Sequence, residues 1–414
     1  MLYPRKPFSR HNIDVATLAV ILSILSLIIW IALVFFRGVF WLLRPFDDDR
    51  QAHNDLQTWP RVVAIVPARN EAATIGRTVE SLVRQDYRGD FQIIVVNDLS
   101  TDETERLAHL AAEIAGAANR VSIISSTTPP PGWTGKLWAM QQGVQKAASF
   151  SHVASGKETI SQNYLWFTDA DIQHAPDTLT RLVSRAATQN LQLTSLMVLL
   201  QAKTFPERLL IPSFLYFFLK VFPPRRIADA RTHTAGAAGG CILLHGDALQ
   251  NLGGLAAIRA EVIDDCALAR AVKRSGGRIW MGLTRKSVSL RSYESFAEIS
   301  DLIARTAFTQ LGYSRLLLLG TLLGMFITYL VPVGLLFSAR PAVWRMSLAA
   351  WALMTLSYLP TVRFYRLSPL WAVALPISAA FYCYATWLSA LRFWLGRGGQ
   401  WKGRAQAHNN TAVS

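Results

Sequence analysis

The chain is poor in cysteine, poor in acid and lacks the common nucleotide-fold glycine signatures. Its three cysteines, Cys241, Cys266 and Cys383, are scattered over 414 residues. Without paired spacing they exclude a disulfide framework and a cysteine zinc site, and they suit a reducing cytosol. Cys266 follows two aspartates, where a small buried residue is expected rather than a nucleophile. Asp and Glu number 27 against 42 Lys and Arg, a formal charge of +15. That surplus suits anionic lipid, phosphorylated substrates or nucleic acid. Zinc-finger spacing and RNA-binding aromatic motifs are missing, so nucleic acid is not an expected partner. The run Gly236-Ala237-Ala238-Gly239-Gly240 allows close backbone approach to a ligand but matches neither a Walker nor a Rossmann fingerprint, which argues against ATP hydrolysis and hydride transfer.

What the chain has is grease. It is 51% hydrophobic and 17% charged, with mean hydropathy +0.24. This is too apolar for an ordinary soluble protein and too charged for a bare membrane bundle, so a soluble domain plus membrane segments is expected. Residues 1–45 read as an N-terminal anchor: Ile13 to Phe36 is long enough to span a bilayer, and no small-residue cleavage site follows. Residues 59–295 alternate short β-branched strands with amphipathic helices, the pattern of an α/β domain with a mostly parallel sheet. Strands are predicted at 61–66, 91–97, 121–125, 164–168 and 192–200, with a short one at 241–244. Helices are predicted at 74–85, 101–115, 136–147, 176–187 and 264–274. Ser100 with Glu103 predicts a capping box. The polar stretch 149–162 reads as a surface loop.

Within this domain, residues 205–222 form an apolar aromatic run with basic flanks, read as an interfacial helix rather than a buried one. A second interfacial helix is expected over 296–313. Three further spans follow within 314–395, and a basic tail occupies 396–414. One anchor and three later spans put that tail on the side opposite the α/β domain, against the positive-inside rule. Either one of these segments is interfacial or re-entrant, or the charge rule fails here.

The chemistry-bearing residues close strands or open helices, and in an open α/β sheet such positions converge on one crevice. The first strand runs into Pro67-Ala68-Arg69-Asn70-Glu71, a tight loop that either lines a nucleotide or simply caps the next helix. Asp98 closes the second strand and is placed to accept from a nucleobase amide, whereas Asp102 reads as a helix-start charge. Thr168-Asp169-Ala170-Asp171 closes an apolar strand and offers two hard oxygen donors to a diphosphate and to Mg2+ or Mn2+. Gly132-Trp133-Thr134-Gly135-Lys136 leads into a helix start where Lys136 meets phosphate, or forms a rigid turn. Asp264-Asp265 opens another helix. Its dipole keeps a carboxylate charged, as a general base or as a cap.

These motifs resemble glycosyltransferase family 2 over about residues 62–313, and the whole chain resembles the membrane-bound hopene-associated glycosyltransferases of bacterial hopanoid pathways. The Gly132 to Lys136 loop is also similar to transferases acting on carotenoid acids or ceramide. The resemblance implies a GT-A fold at a bacterial inner membrane, with the domain facing the cytosol. It implies Asp98 at the nucleobase, Asp169 and Asp171 around ribose, diphosphate and metal, and Asp265 as base. Pro67, Arg69, Asn70, Glu71, Lys136, Asp264 and Arg305 are the further candidates for the nucleotide-sugar. Transfer would invert the sugar carbon, from a UDP-sugar to a lipid hydroxyl such as that of a hopanoid. The chain departs from the family in having Asp264 where Glu is common and in lacking the Gln-x-x-Arg-Trp box. Only Arg305 remains of that box, which argues for single-sugar transfer. A polyprenyl-phosphate sugar synthase or a polysaccharide synthase is the enzymatic alternative, and a non-catalytic membrane scaffold or transporter component the other.

Overall fold

The computed structural model describes residues 14–48, 56–150, 163–396, 400–401 and 404–405. Most of the polar stretch 149–162, and most of the basic tail, lie outside the described residues.

The strands are β1 (Val62–Ala68), β2 (Phe91–Asn97), β3 (Val121–Ser125), β4 (Tyr164–Phe167), β5 (Ile172–Gln173), β6 (Leu193–Leu199), β7 (Ile242–His245) and β8 (Ile279–Ser289). They form one eight-stranded sheet in the order β3-β2-β1-β4-β7-β6-β8-β5. The half made of β3, β2, β1 and β4 is parallel, while β7 enters antiparallel between β4 and β6. Nearly every residue of β1, β2, β4 and β6 is buried, as expected for strands covered on both faces. Helices α1 (Val15–Phe36), α2 (Ile75–Val83), α3 (Thr104–Ile114), α4 (Gly135–Ser149), α5 (Thr178–Thr188), α6 (Phe205–Val221) and α7 (Asp264–Arg274) precede the last strand. After it come α8 (Phe296–Ala304), a turn at Ala307–Gln310, α9 (Arg315–Met325), α10 (Pro341–Phe364) and α11 (Leu375–Trp394).

Among the described residues, three segments are long and apolar enough to cross a membrane: Val15–Phe36, Arg315–Phe337 and Pro369–Trp394. The second continues α9 through a π-helical stretch at Phe326–Leu330. There the Trp30 indole donates to the Thr328 carbonyl at 2.7 Å, tying α1 to α9. A π turn leaves such a carbonyl without its usual helical donor.

Two expectations are corrected. Ser100 does not cap a helix: α3 begins at Thr104, whose N–H is held by Asp102 Oδ1 at 3.1 Å, and the Ser100 hydroxyl accepts the Asn70 N–H instead. Helix α6 is buried over most of its length, from Glu207 to Leu219. It is clamped between the sheet domain and the later helices: Tyr216 meets Ser357 of α10, and Leu209 and Leu210 meet α11. Its aromatic surplus serves this packing more than contact with lipid.

Candidate active site

The site forms where β1, β2 and β4 end and where α4 and α7 begin. Thr134 caps α4, its Oγ1 accepting the Leu137 N–H, and its own N–H is held by the Arg259 carbonyl at 2.9 Å. This fixes the first turn, and Lys136 projects from it into a pocket of carboxylates. Its Nζ lies 2.9 Å from Asp169 Oδ1 and 3.3 Å from Asp264 Oδ2. Burial opposes the ammonium charge, but Asp169 and Asp264 outweigh it and hold the Lys136 pKa above its ordinary value. Burial likewise opposes the Asp169 charge, and Lys136 with Arg305 and Arg291 keeps this carboxyl below the usual range.

Asp265 stands beside Asp264 in the first turn of α7. Its Oδ2 accepts the Gly239 N–H at 2.8 Å and its Oδ1 the Cys266 N–H at 2.7 Å. Burial and the neighbouring Asp264 charge push its pKa up to about 6, against the pull of Lys136 and the two N–H donors. Gly239 lies close against the cluster: a Cβ there would sit 3.3 Å from Lys136 Nζ, tight enough that the lysine tip would have to shift slightly, and 3.4 Å from Asp265 Oδ2. The glycine run thus brings backbone against the acid cluster. Cys266 is buried and its thiol pKa is raised by burial, the behaviour of a packing residue.

On the other side of β4, Asp171 is paired with Arg291 Nε at 3.3 Å, and Arg291 Nη2 reaches Glu71 Oε1 at 3.1 Å. Arg291 follows β8, more than a hundred residues from either partner, and no local pattern marks it in sequence. The adjoining loop is held by Glu207, which accepts the Tyr293 N–H at 2.7 Å. Arg305, at the end of α8, is close enough to Asp169 to act on its charge.

The Pro67 to Glu71 loop plays a bracing part. Arg69 Nη1 donates to the Asp98 carbonyl at 2.7 Å, and the Asn70 side chain accepts the Thr101 N–H at 2.9 Å. Asp98 is fully buried, its carboxylate 4.0 Å from Arg69. Pro67 lies buried near the end of β1, opposite Val96 and beyond the end of the β1–β4 pairing, and has no polar side-chain group of its own. A proline lacking an N–H is tolerated at such a place. His174, absent from the sequence reading, is buried between Thr168 and Ser287, and burial pushes its pKa down to about 3. It is a neutral support beneath the end of β4.

Among the described residues no three His, Cys, Asp or Glu side chains form a ready-made metal cage. Asp169 and Asp171 still supply hard oxygens. A donor set of two carboxylates fits Mg2+ or Mn2+ that shares its coordination with a diphosphate, the usual way such ions are held beside phosphates.

A mixed sheet with carboxylates gathered at its strand ends, beside a helix-borne lysine, defines a GT-A glycosyltransferase domain. Residues 63–253 match the family model described as glycosyl transferase family 2. A 4,4'-diaponeurosporenoate glycosyltransferase of Staphylococcus aureus (strain USA300) is 35% identical over 108 residues, 26% of this chain. The match spans 23% of that relative's length. A mannosyltransferase from Pyrobaculum calidifontis, solved with GDP-Man and Mn2+, shares the fold with a TM-score of 0.52 at 19% identity, over 90% of this chain and 99% of the other.

Proposed function

We propose that this protein moves a single sugar from a nucleotide-sugar, with UDP as the favoured carrier, to a hydroxyl of a membrane lipid, with inversion at the sugar carbon. The observation that carries the reading is Asp265. It is a buried carboxylate whose pKa burial and Asp264 push up to about 6, held by two backbone N–H groups beside the Lys136–Asp169–Asp264 cluster. A base is most effective when its pKa lies near the working pH.

Asp265 takes the proton from the acceptor hydroxyl as that oxygen forms a bond to the anomeric carbon. The bond from that carbon to the diphosphate oxygen breaks on the opposite face, and its electron pair leaves with the nucleotide. Lys136 and Arg291 are placed to meet the diphosphate charge. Asp98 and the loop braced by Arg69 and Asn70 receive the base, while Glu71 holds Arg291 in place. Asp169 and Asp171 would hold the divalent ion that arrives with the donor, and that ion would supply Lewis-acid neutralisation of the leaving charge. Arg305, the one part of the Gln-x-x-Arg-Trp box that this chain keeps, acts on the charge of Asp169 and would join Lys136 and Arg291 beside the nucleotide-sugar.

The lipid acceptor is supported by the apolar helices and by the carotenoid-acid substrate in the relative's name. A hopanoid alcohol is the acceptor suggested by the sequence resemblance. Holding donor and acceptor together at a bilayer surface lowers the entropic part of the barrier. The test is transfer from labelled UDP- and GDP-sugars into native lipid extract by purified protein, alongside Asp265→Asn. A labelled lipid from wild type alone supports the reading, and mass spectrometry then names the acceptor. A phosphate-linked or polymeric product would favour the synthase alternatives. No transfer by folded protein with any donor would defeat the enzymatic reading.

A further inference from the structure

We infer that the junction of α1 with α6 is a binding site for the head-group phosphate of an anionic phospholipid, held between the guanidinium groups of Arg37 and Arg226. The place is set by α1, a segment long and apolar enough to cross a membrane. It ends at Phe36, and the chain then turns at Gly38 and enters the α/β domain, where Phe46 joins the core. Arg37 and the end of α6 that it touches therefore lie at the membrane surface on the side of that domain.

Two arginines cross here. Arg37 Nε and Nη2 donate to the Lys220 and Val221 carbonyls at the end of α6, at 3.0 and 3.2 Å. Arg226 Nη2 donates to the Phe36 carbonyl at the end of α1, at 3.1 Å. The Arg226 stem lies over Gly38, where a Cβ would sit 3.3 Å from Arg226 Cγ. The backbone that carries Arg226 is fixed as well: the Lys273 ammonium of α7 donates to the carbonyls of Arg226, Ile227, Asp229 and Thr234 at 2.7–3.1 Å. The fold thus presents both guanidinium groups in set positions. Each has five N–H donors, and these bonds leave some of them for a ligand.

The charge gathered here is not balanced within the protein. Burial, and then the Arg226 charge, lowers the pKa of Arg37; burial, and then the Arg37 charge, pushes that of Lys220 down to about 8. Among the described residues no carboxylate pairs with Arg37, Lys220 or Arg226. Asp229, the one acid in the segment 221–234, is bonded to Arg231. The two helix ends supply roughly half a negative charge each, which leaves the three cations in excess. A phosphate suits such a place, since a guanidinium can meet two of its oxygens at once. The apolar neighbours say which phosphate. Phe35, Phe36 and Val221 are 62%, 74% and 42% exposed next to the cluster, a seat for an acyl chain that a free anion would not use. Anionic leaflets attract basic residues placed just beyond a span.

Full-length protein in detergent micelles, titrated at fixed ionic strength with phosphatidylglycerol or phosphatidylcholine of the same acyl chains and followed by native mass spectrometry, tests this without any assay of sugar transfer. Wild type should bind phosphatidylglycerol about tenfold more tightly than phosphatidylcholine, and Arg226→Gln should weaken that binding about fivefold, the usual worth of one arginine at an anionic surface. Arg231→Gln, which removes the same charge from the same segment, should leave it unchanged. A photoactivatable phosphatidylglycerol should crosslink within residues 35–38 and 221–226. Equal binding of the two lipids by wild type, equal losses in Arg226→Gln and Arg231→Gln, or crosslinks confined to other segments would overturn the inference. So would displacement of the lipid by inorganic phosphate, which would make this a site for a free anion. Should Arg226→Gln fail to fold, the wild-type lipid comparison and the crosslinks still decide the outcome.

Discussion

At the scale of single residues, the site is a balance of buried charges in which each group sets its neighbour's behaviour. Asp265 has its pKa pushed up to about 6 by burial and by Asp264, so kcat/KM should rise with pH through an acid limb near that value as the base ionises. Asp265→Asn should cost about a hundred- to ten-thousand-fold in kcat, the usual range for a lost general base, while leaving donor binding in place. A raised pKa in the folded state gives stability that is present at low pH and lost as pH rises through the folded value. Asp265→Asn should therefore raise the Tm at pH 8 and leave it little changed at pH 4; thermal unfolding at both pH values checks the sign. Arg291 shows the converse. It is one cation shared by Asp171 and Glu71, and Arg291→Ala leaves two carboxylates facing each other. Because Arg291 is partly exposed, the cost should be about 1–3 kcal/mol rather than that of a fully buried pair. Weaker nucleotide-sugar binding, read by calorimetry, should accompany it.

At the scale of elements, two backbone placements decide whether these side chains meet. Thr134 caps α4 and presents Lys136; Thr134→Ala should cost about 1 kcal/mol, as lost caps do, and raise the donor KM by loosening that turn. Gly239 runs against Lys136 and Asp265. Gly239→Ala should keep the fold but lower kcat by about 10- to 100-fold, because small misplacements at a reacting centre are expensive; unchanged kcat with a normal unfolding curve would show that the close approach is incidental. These placements were partly legible in sequence. The glycine run read as a close approach, but what it approaches became clear only from the fold. The capping box at Ser100 misread a loop in which Asn70, Ser100 and Asp102 bond across from β1 to β2.

At the scale of the whole molecule, the α/β domain sits on a helical base through α6 and α8, which join the acid cluster to the apolar helices. If Asp169 and Asp171 hold a divalent ion with the donor, transfer should fall to background in EDTA and return with Mn2+ or Mg2+. Transfer that persists in EDTA would mean that Lys136 and Arg291 meet the diphosphate charge unaided. The same base explains why the segment at 205–222 read as interfacial: an aromatic helix buried between a domain and a membrane bundle has much the composition of one lying on lipid.

The sequence by itself determined the elements and the ends at which chemistry gathers. Alternation with period 2 or 3.6, caps and apolar length are local properties, and Asp98, Asp169, Asp171, Asp264 and Asp265 stand at the strand and helix ends where they were read. Tertiary structure alone decided the partners. The insertion of β7 antiparallel between β4 and β6, the contact of Lys136 with both Asp169 and Asp264, and the recruitment of Arg291 all join residues far apart in the chain.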